Sequence, residues 1–209
     1  MSTLLHISVS PFGDQSISRA VADEFVSAWS AAHPDGTVIV RDLAANPVDH
    51  LDAETLFAGY LAPEDRTPAQ AAKHDFRFEL INEITGVDEI VVSTPMWNWS
   101  VPSTLKAYID QIIVPGVLDG SGADGLRDKK VTFIVSQGGS YAEGAPRFGW
   151  DHQTAYLRQV GQALGSKDVE IILSEFGLAG VVPGLENFVD TKDASIVAAK
   201  EAAKVRAAA

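Results

Sequence analysis

Apolar residues along the chain are concentrated in five short runs, and the longer segments between them have the spacing of amphipathic helices. The runs are TLLHISVS (3–10), TVIVRDL (37–43), EIVVSTP (89–95), KKVTFIVSQGG (129–139) and DVEIILSEFG (168–177). Each run is short and mainly apolar, which predicts a β-strand, and the third ends in small residues. The third run is almost continuously apolar, as expected for a strand that is buried on both faces.

Helices are predicted between and after these strands. Their approximate ranges are 18–33, 67–85, 103–113, 151–164 and 185–206. The first places Val21, Phe25 and Trp29 on one face, and the second begins with Thr-Pro, a favourable N-cap and first helical residue. The long connection over 44–66 contains only short helical pieces. This alternation predicts right-handed crossovers and a parallel sheet covered by helices on both faces.

Five strands of this kind favour a flavodoxin-like, doubly wound α/β fold with strand order 2-1-3-4-5. The length of 209 residues fits a single domain spanning 1–209. Such folds bind ligands beyond the carboxyl ends of the strands, where the strand order reverses. In the predicted fold three loops lie there: residues 10–18, 95–102 and 136–144.

Charge and composition exclude several classes of function. The net charge of -12 repels phosphate backbones, so we expect no nucleic-acid partner. The absence of cysteine excludes disulfides, thiol catalysis and thiolate metal sites. No apolar run approaches the roughly 20 residues that span a bilayer, and the N-terminus lacks a signal-peptide pattern, so no membrane association is expected.

No metal site is expected either, because the histidines are scattered and lack metal-ligand spacing. Asp119, Asp124 and Asp128 lie close together in the sequence but lack the spacing of a calcium-binding loop. We interpret them as solvated loop charges.

The first loop has the composition of a phosphate site. Ser10 ends the strand, Gly13 permits a tight turn, and Ser16 and Ser18 stand where the next helix begins. The free N–H groups and partial positive charge of a helix N-terminus suit a phosphate. The chain has neither G-x-G-x-x-G nor a Walker A lysine, which argues against a dinucleotide or P-loop site. Serine is also a common N-cap residue, so a purely structural role for Ser16 or Ser18 stays open.

The other two loops allow two interpretations each. Pro95 and Pro102 stiffen the second loop, and its Trp97 and Trp99 suit either contact with a planar ligand or packing over the core or an interface. In the third loop a pair of glycines allows close approach of a ligand to backbone N–H groups, or simply forms a turn.

Together the three loops resemble the FMN-dependent NADH:azoreductase and NADH:quinone oxidoreductase family over nearly the whole chain. The motifs are SIS (16–18), RDLAANPV (41–48), TPMWNWSVPSTLKAYID (94–110) and SQGGSY (136–141). The resemblance implies an FMN-dependent enzyme that transfers two electrons from NADH or NADPH to quinones or azo compounds, with ping-pong kinetics. It also implies a homodimer with its active sites at the subunit interface, and we expect a cytoplasmic location.

The resemblance also implies which residues bind FMN. The implied phosphate contacts are Ser10, Ser16, Ile17 and Ser18; the implied isoalloxazine contacts are Pro95, Met96, Trp97, Asn98 and Trp99 on one side, and Ser136, Gln137, Gly138 and Gly139 at the other edge. Tyr141 is a candidate substrate contact. Because the hydride chemistry belongs to the flavin, no catalytic side chain is predicted.

The chain departs from the family pattern in two places. Gln137 stands where the family usually has arginine, and the segment PGVLDGSGADGL has no aromatic residue to cover the flavin. The pocket is therefore expected to be open, or covered by Tyr141, Phe148 or Trp150. Two other functions stay open: a flavodoxin-type electron carrier that docks through its acidic surface, and a nonredox binding module without flavin. The long connection over 44–66 favours the enzyme.

Overall fold

A computed structural model describes residues 1–119 and 125–209, and its strands form one five-stranded parallel sheet. The strands are β1 (Thr3–Ser8), β2 (Thr37–Asp42), β3 (Glu89–Pro95), β4 (Lys130–Ser136) and β5 (Asp168–Ser174). β1 pairs with both β2 and β3, while β4 lies between β3 and β5. The order β2-β1-β3-β4-β5 confirms the predicted flavodoxin-like topology.

Six α-helices are described around the sheet. They are α1 (Ile17–Ala32), α2 (Ala53–Ala58), α3 (Pro68–Thr85), α4 (Ser103–Ile112), α5 (Gln153–Ala163) and α6 (Val189–Ala207). Short 3-10 turns precede α1, α3 and α6. The predicted helices agree with these bounds to within a few residues. Thr67 caps α3 as expected, and its hydroxyl and the Gln70 side chain form a reciprocal capping box.

Four of the five predicted strands are too long, β4 and β5 most of all. β4 ends at Ser136 and β5 at Ser174, several residues before the predicted ends. Beyond these points the two segments form loops that are hydrogen-bonded to each other. Gly177 N donates to Gln137 O at 2.8 Å, and Leu178 N donates to Gly138 O at 3.0 Å. This pairing is tertiary, and the local residue pattern does not contain it.

Each face of the sheet has its own apolar layer. Leu5 and Ile7 of β1 face the layer that contains α3, α4 and α5, whereas Leu4 faces α1 and α6. This alternation follows from the pleat of a strand. Trp29 of α1 is buried in the second layer as predicted, and its indole Nε1 donates to the Glu89 carboxylate at 3.0 Å.

Two further properties concern only the described residues. Within them, no helix combines the length and apolarity needed to cross a membrane. No group of three histidine, aspartate or glutamate side chains in that part of the chain is placed to hold a metal ion. Asp124, one of the loop carboxylates considered above, lies outside the described residues.

Candidate functional site

The three loops selected from the sequence meet at the carboxyl edge of the sheet. Backbone bonds extend the sheet beyond its strands: Val9 N donates to Ser93 O at 3.0 Å, and Met96 N donates to Ser136 O at 2.7 Å. Pro95 O accepts from the buried Gln153 Nε2 at 2.9 Å. Pro95, Met96 and Ser136 are thus held through their backbone atoms, which fixes where the second and third loops begin.

The serines of the first loop are buried. Ser10, Ser16 and Ser18 are 2%, 5% and 0% exposed. Ser16 is the N-cap of α1, since its Oγ accepts from Arg19 N at 3.2 Å and lies 3.3 Å from Ser18 Oγ. These hydroxyls therefore shape the loop from within.

Other groups of the first loop are open to a ligand. The N–H group of the half-buried Ile17 lies in the first helical turn, where no earlier helical carbonyl is available to accept it, whereas Ser18 is fully buried. Gly13 has a φ of 52°, and the position of its absent Cβ has no atom within 4 Å. The loop thus presents a donor and space at the positive end of a helix.

A polar network that sequence reasoning missed lies behind this loop. The Nη2 atom of Arg19 donates to Ser8 Oγ at 2.9 Å and to Asp42 at 2.8 Å, so it joins the end of β1 to the end of β2. His6 Nε2 lies 2.9 Å from Ser93 Oγ. Burial, followed by the nearby Arg19 charge, lowers the pKa of His6 to about 4, so this side chain is neutral at pH 7. The Arg after SIS and the Asp of RDLAANP are the only sequence signals of this pair.

The second loop contains a tight turn with unusual backbone geometry. Trp97 and Ser100 exchange two backbone hydrogen bonds of 3.0 Å, which closes the turn around Asn98 and Trp99. The φ angles of these two residues are 49° and 67°. Asparagine adopts this left-handed region fairly often, whereas a bulky tryptophan does so at a cost of about 1–3 kcal/mol.

Contacts from the segment just before α5 hold Trp99 in this conformation. His152 N donates to Trp99 O at 3.0 Å, and the Trp99 ring meets the Trp150 ring edge-to-face at 5.2 Å. Trp150, one of the three suggested covers, is therefore the partner of Trp99. The neighbouring Trp97 is 39% exposed and lines a cleft of about 600 Å³ together with Asn98, Lys106 and Tyr156.

The third loop offers its glycine N–H groups but not the Gln137 side chain. Gln137 is 1% exposed, and its Nε2 donates to Asp151 at 2.9 Å. The carbonyls of Gly138 and Gly139 accept from the N–H groups of Leu178 and Phe176. Among the described residues, no acceptor bonds to the N–H groups of these two glycines. They are the free donors of this edge.

The predicted contacts with the flavin ring and the substrate are divided between two clefts. Gly138, Gly139 and Tyr141 line one of about 610 Å³, while Trp97 and Asn98 line the other. Neither cleft is lined by the first loop. The fold thus brings the three loops to one edge without enclosing all their residues in one cavity.

Comparison with known proteins identifies the family. A family model described as a flavodoxin-like fold matches residues 2–206. The chain is 46% identical to the FMN-dependent NADH:quinone oxidoreductase of Parafrankia sp., an alignment that covers 100% of both chains. It is 40% identical to the protein of the same name from Nostoc sp., over 97% of this chain and 96% of the relative. The chain belongs to this family.

Solved structures agree with the fold of this oxidoreductase family. The azoreductase from Bacillus anthracis superposes with a TM-score of 0.85 at 23% identity, covering 100% of this chain and 99% of the other. An FMN-dependent NADH-azoreductase from the same species, solved in complex with FMN, gives a TM-score of 0.81 at 22% identity and covers 100% of both chains. The resemblance seen in the sequence motifs is thereby confirmed at the level of family and fold.

Proposed function

We propose that this protein is an FMN-dependent oxidoreductase that transfers two electrons from NADH or NADPH to quinones or azo compounds. The observation that carries the proposal is the identity of 46% over the full length of a relative with the name FMN-dependent NADH:quinone oxidoreductase. The geometry supports it, because three loops with free donors and aromatic walls meet at the sheet edge where this fold binds ligands.

The first loop fits the phosphate of FMN. In the proposal the phosphate lies at the N-terminus of α1, against the N–H group of Ile17 and the open space at Gly13. Ser10 and Ser16 are buried, so their part is to hold the loop in this shape. Neutral donors of this kind bind a phosphate despite the negative charge of the whole protein.

The second and third loops fit the two sides of the isoalloxazine ring. Met96, Trp97, Asn98 and Trp99 would flank it, and the free N–H groups of Gly138 and Gly139 would face its polar edge, where they stabilise negative charge. Ser136 and Gln137 support this edge through their backbones. When bound, FMN supplies the capacity to accept a hydride and to pass two electrons on.

The proposal includes ping-pong kinetics, a single domain, a cytoplasmic location and a homodimer whose active sites lie at the interface. Support for the homodimer comes from α2 and the residues just after it. Leu56, Phe57 and Tyr60 are 46%, 64% and 84% exposed in one chain, a concentration of apolar surface typical of an interface.

The experiment that tests the proposal is anaerobic stopped-flow reduction of the purified protein. We expect yellow protein whose colour NADH or NADPH bleaches rapidly. A quinone or azo compound should then restore the colour. Colour that neither nucleotide bleaches would identify an electron carrier instead. Colourless protein that does not bind added FMN would contradict both flavin functions.

A further inference from the structure

Arg19 joins three elements around the first loop, and it has no part in the FMN contacts proposed above. It lies in the first turn of α1, where its backbone N donates to Ser16 Oγ at 3.2 Å. Its Nη2 atom donates to Ser8 Oγ of β1 at 2.9 Å and to Asp42 Oδ2 of β2 at 2.8 Å. One side chain thus holds the start of α1 against the ends of two strands.

These bonds close the first loop at its base. Ser8 lies just before Ser10, where the loop begins, and Arg19 follows directly after Ser18, where the loop ends. The bond between Arg19 and Ser8 therefore links the two flanks of the loop. A loop whose ends are fixed in this way loses less conformational freedom when it binds a ligand, and this favours binding.

The carboxylate that pairs with Arg19 is itself held in place. Asp42 Oδ1 accepts from Ala44 N at 2.9 Å and from Ala45 N at 3.1 Å. The backbone carbonyl of Asp42 also accepts from Asn46 N at 2.9 Å. Asp42 is thus part of the turn that follows β2, and Arg19 is anchored to an ordered part of the sheet edge.

The charge of Arg19 is balanced where it lies. The oxygen of Asp42 is 2.8 Å away, and two opposite charges at this distance largely cancel farther off. The Nε atom of Arg19 is shielded from water and has no acceptor among the described residues. A buried donor without an acceptor indicates an arrangement that is not optimised for stability alone. Arg19 therefore suits a role in holding the loop better than a role in attracting an anion directly.

We propose that Arg19 is a positioning residue that makes the site selective for a phosphorylated flavin over an unphosphorylated one. Held by Ser8 and Asp42, it keeps the N–H group of Ile17 and the space at Gly13 in the arrangement that receives the phosphate. The described side-chain bonds of Arg19 reach neither the second nor the third loop, so the loops that would contact the ring do not depend on it. The inference rests on the proposed function, which assigns the phosphate to the first loop.

Flavin fluorescence titration of the full chain, freed of flavin, tests the positioning role. The probes are FMN and riboflavin, which has the same ring but no phosphate. We expect Arg19→Met to weaken FMN binding about tenfold and to leave riboflavin binding unchanged. Arg19→Lys keeps the charge and can still bond to one of the two acceptors, so its loss should be smaller. Equal losses for both flavins in Arg19→Met would show a general loss of structure and would overturn the proposal.

A substitution of Asp42 separates positioning from charge attraction. Asp42→Asn weakens the bond that holds Arg19, and it also removes a negative charge from the edge of the loop. Positioning therefore predicts FMN binding that is weaker by a few-fold, whereas direct attraction by Arg19 predicts tighter binding. In the double variant with Arg19→Met the two losses should not add, because both substitutions break the same bond. Tighter FMN binding in Asp42→Asn, or additive losses, would refute the positioning role.

Arg41→Met is the matched control. Arg41 precedes Asp42 in β2, is half-buried, and donates from Nη2 to the Glu83 carboxylate of α3 at 2.9 Å. Because successive side chains of a strand point to opposite faces, this ion pair lies on the other face of the sheet from Arg19. Its loss should lower stability without changing the ratio of the FMN and riboflavin affinities. An equal change of this ratio in the Arg41 and Arg19 variants would contradict the inference.

Failure of the proposed function has a different signature. If wild type binds neither flavin, the proposed function and this inference are both wrong. If wild type binds FMN but neither NADH nor NADPH reduces it, only the enzymatic function fails, and the role of Arg19 is still read from the two affinities. If wild type reduces FMN with these donors but binds riboflavin equally tightly, only the inference fails.

Discussion

Three residues with left-handed backbone angles mark the candidate site at the scale of single residues. Asn98, Trp99 and Phe176 are the described non-glycine residues with positive φ, and all three lie at the carboxyl edge of the sheet. Trp99 and Phe176 are held by contacts from neighbouring segments of the chain, and the Trp97–Ser100 bonds close the turn around Asn98. The fold stabilises conformations that the chain would seldom adopt alone, which is typical of ligand sites.

His6 provides a prediction about pH. Its pKa of about 4 in the fold lies below the ordinary value of 6.5, so the unfolded chain takes up this proton first as the pH falls. The free energy of unfolding should therefore decrease from pH 6.5 to pH 4, by roughly 3 kcal/mol at about 1.4 kcal/mol per pKa unit, and level off below. Urea titrations of wild type and His6→Gln across this range measure the effect. A slope that is the same in both proteins would contradict it.

Gly138 and Gly139 provide a matched pair of substitutions. A Cβ on Gly138 would lie 2.7 Å from Leu178 Cδ1 and 3.0 Å from its Cγ, so Gly138→Ala requires the Leu178 side chain to move and should lower the free energy of unfolding by about 1 kcal/mol. A Cβ on Gly139 meets no atom within 4 Å, so Gly139→Ala should leave stability nearly unchanged.

The same pair distinguishes stability from cofactor binding. Because Gly139 is a candidate FMN contact, its alanine variant should bind FMN more weakly although it is stably folded. Thermal denaturation without cofactor and FMN fluorescence titration measure the two effects. Unchanged FMN affinity in Gly139→Ala would argue against contact at this position.

At the scale of elements, the segment from β3 to α4 positions the tryptophan turn. β3 is buried along its whole length, and α4 begins only a few residues after the turn. The far end of α4 is fixed by Arg77 of α3, whose side chain donates to the carbonyls of Gln111, Asp110 and Ile113 at 2.9–3.3 Å. A single buried side chain thus caps the helix that follows the candidate site.

Removal of this cap should destabilise the protein. Arg77→Met leaves three carbonyls without their donor, and we expect a loss of about 2–4 kcal/mol in the free energy of unfolding. Arg77→Lys keeps the positive charge but has fewer hydrogen-bond donors than arginine. Its loss of stability should therefore be smaller than that of Arg77→Met. Arg158→Met, at an exposed position on α5, is the control. The denaturant midpoint measures all three, and a midpoint for Arg77→Met equal to that of the control would refute the capping role.

At the scale of the whole molecule, a strongly acidic chain carries an exposed apolar surface. Phe57 and Tyr60 form part of an exposed apolar surface near α2, although the chain as a whole is strongly acidic. Burial of this surface in a homodimer would remove it from water. This arrangement is the one implied by the family resemblance and proposed above.

A charge introduced into this surface tests the homodimer. Phe57→Asp should shift the protein from dimer to monomer in sedimentation velocity, since a buried unpaired carboxylate is costly. Val197→Asp is the matched control, because Val197 is 67% exposed on α6 and lies outside the proposed interface. If Phe57→Asp remains a dimer, this surface is not the interface.

The sequence by itself determined the strands, the helices, their order and the edge at which the three loops meet. These follow from local apolar periodicity and from the right-handed connection of parallel strands, both of which are properties of short segments. The family could be recognised for the same reason, because the SIS, RDLAANPV and SQGGSY motifs are contiguous stretches of chain.

Only the tertiary structure decided how individual side chains are used at this edge. Gln137 turns inward to Asp151, Arg19 pairs with Asp42, and Trp99 packs against Trp150. The partners in these pairs are separated by 14, 23 and 51 positions. The cleft lined by Gly138, Gly139 and Tyr141 likewise depends on two loops that become neighbours only when β4 and β5 pair. Contacts between distant parts of the chain depend on the packing of the whole sheet, which no local pattern of residues encodes.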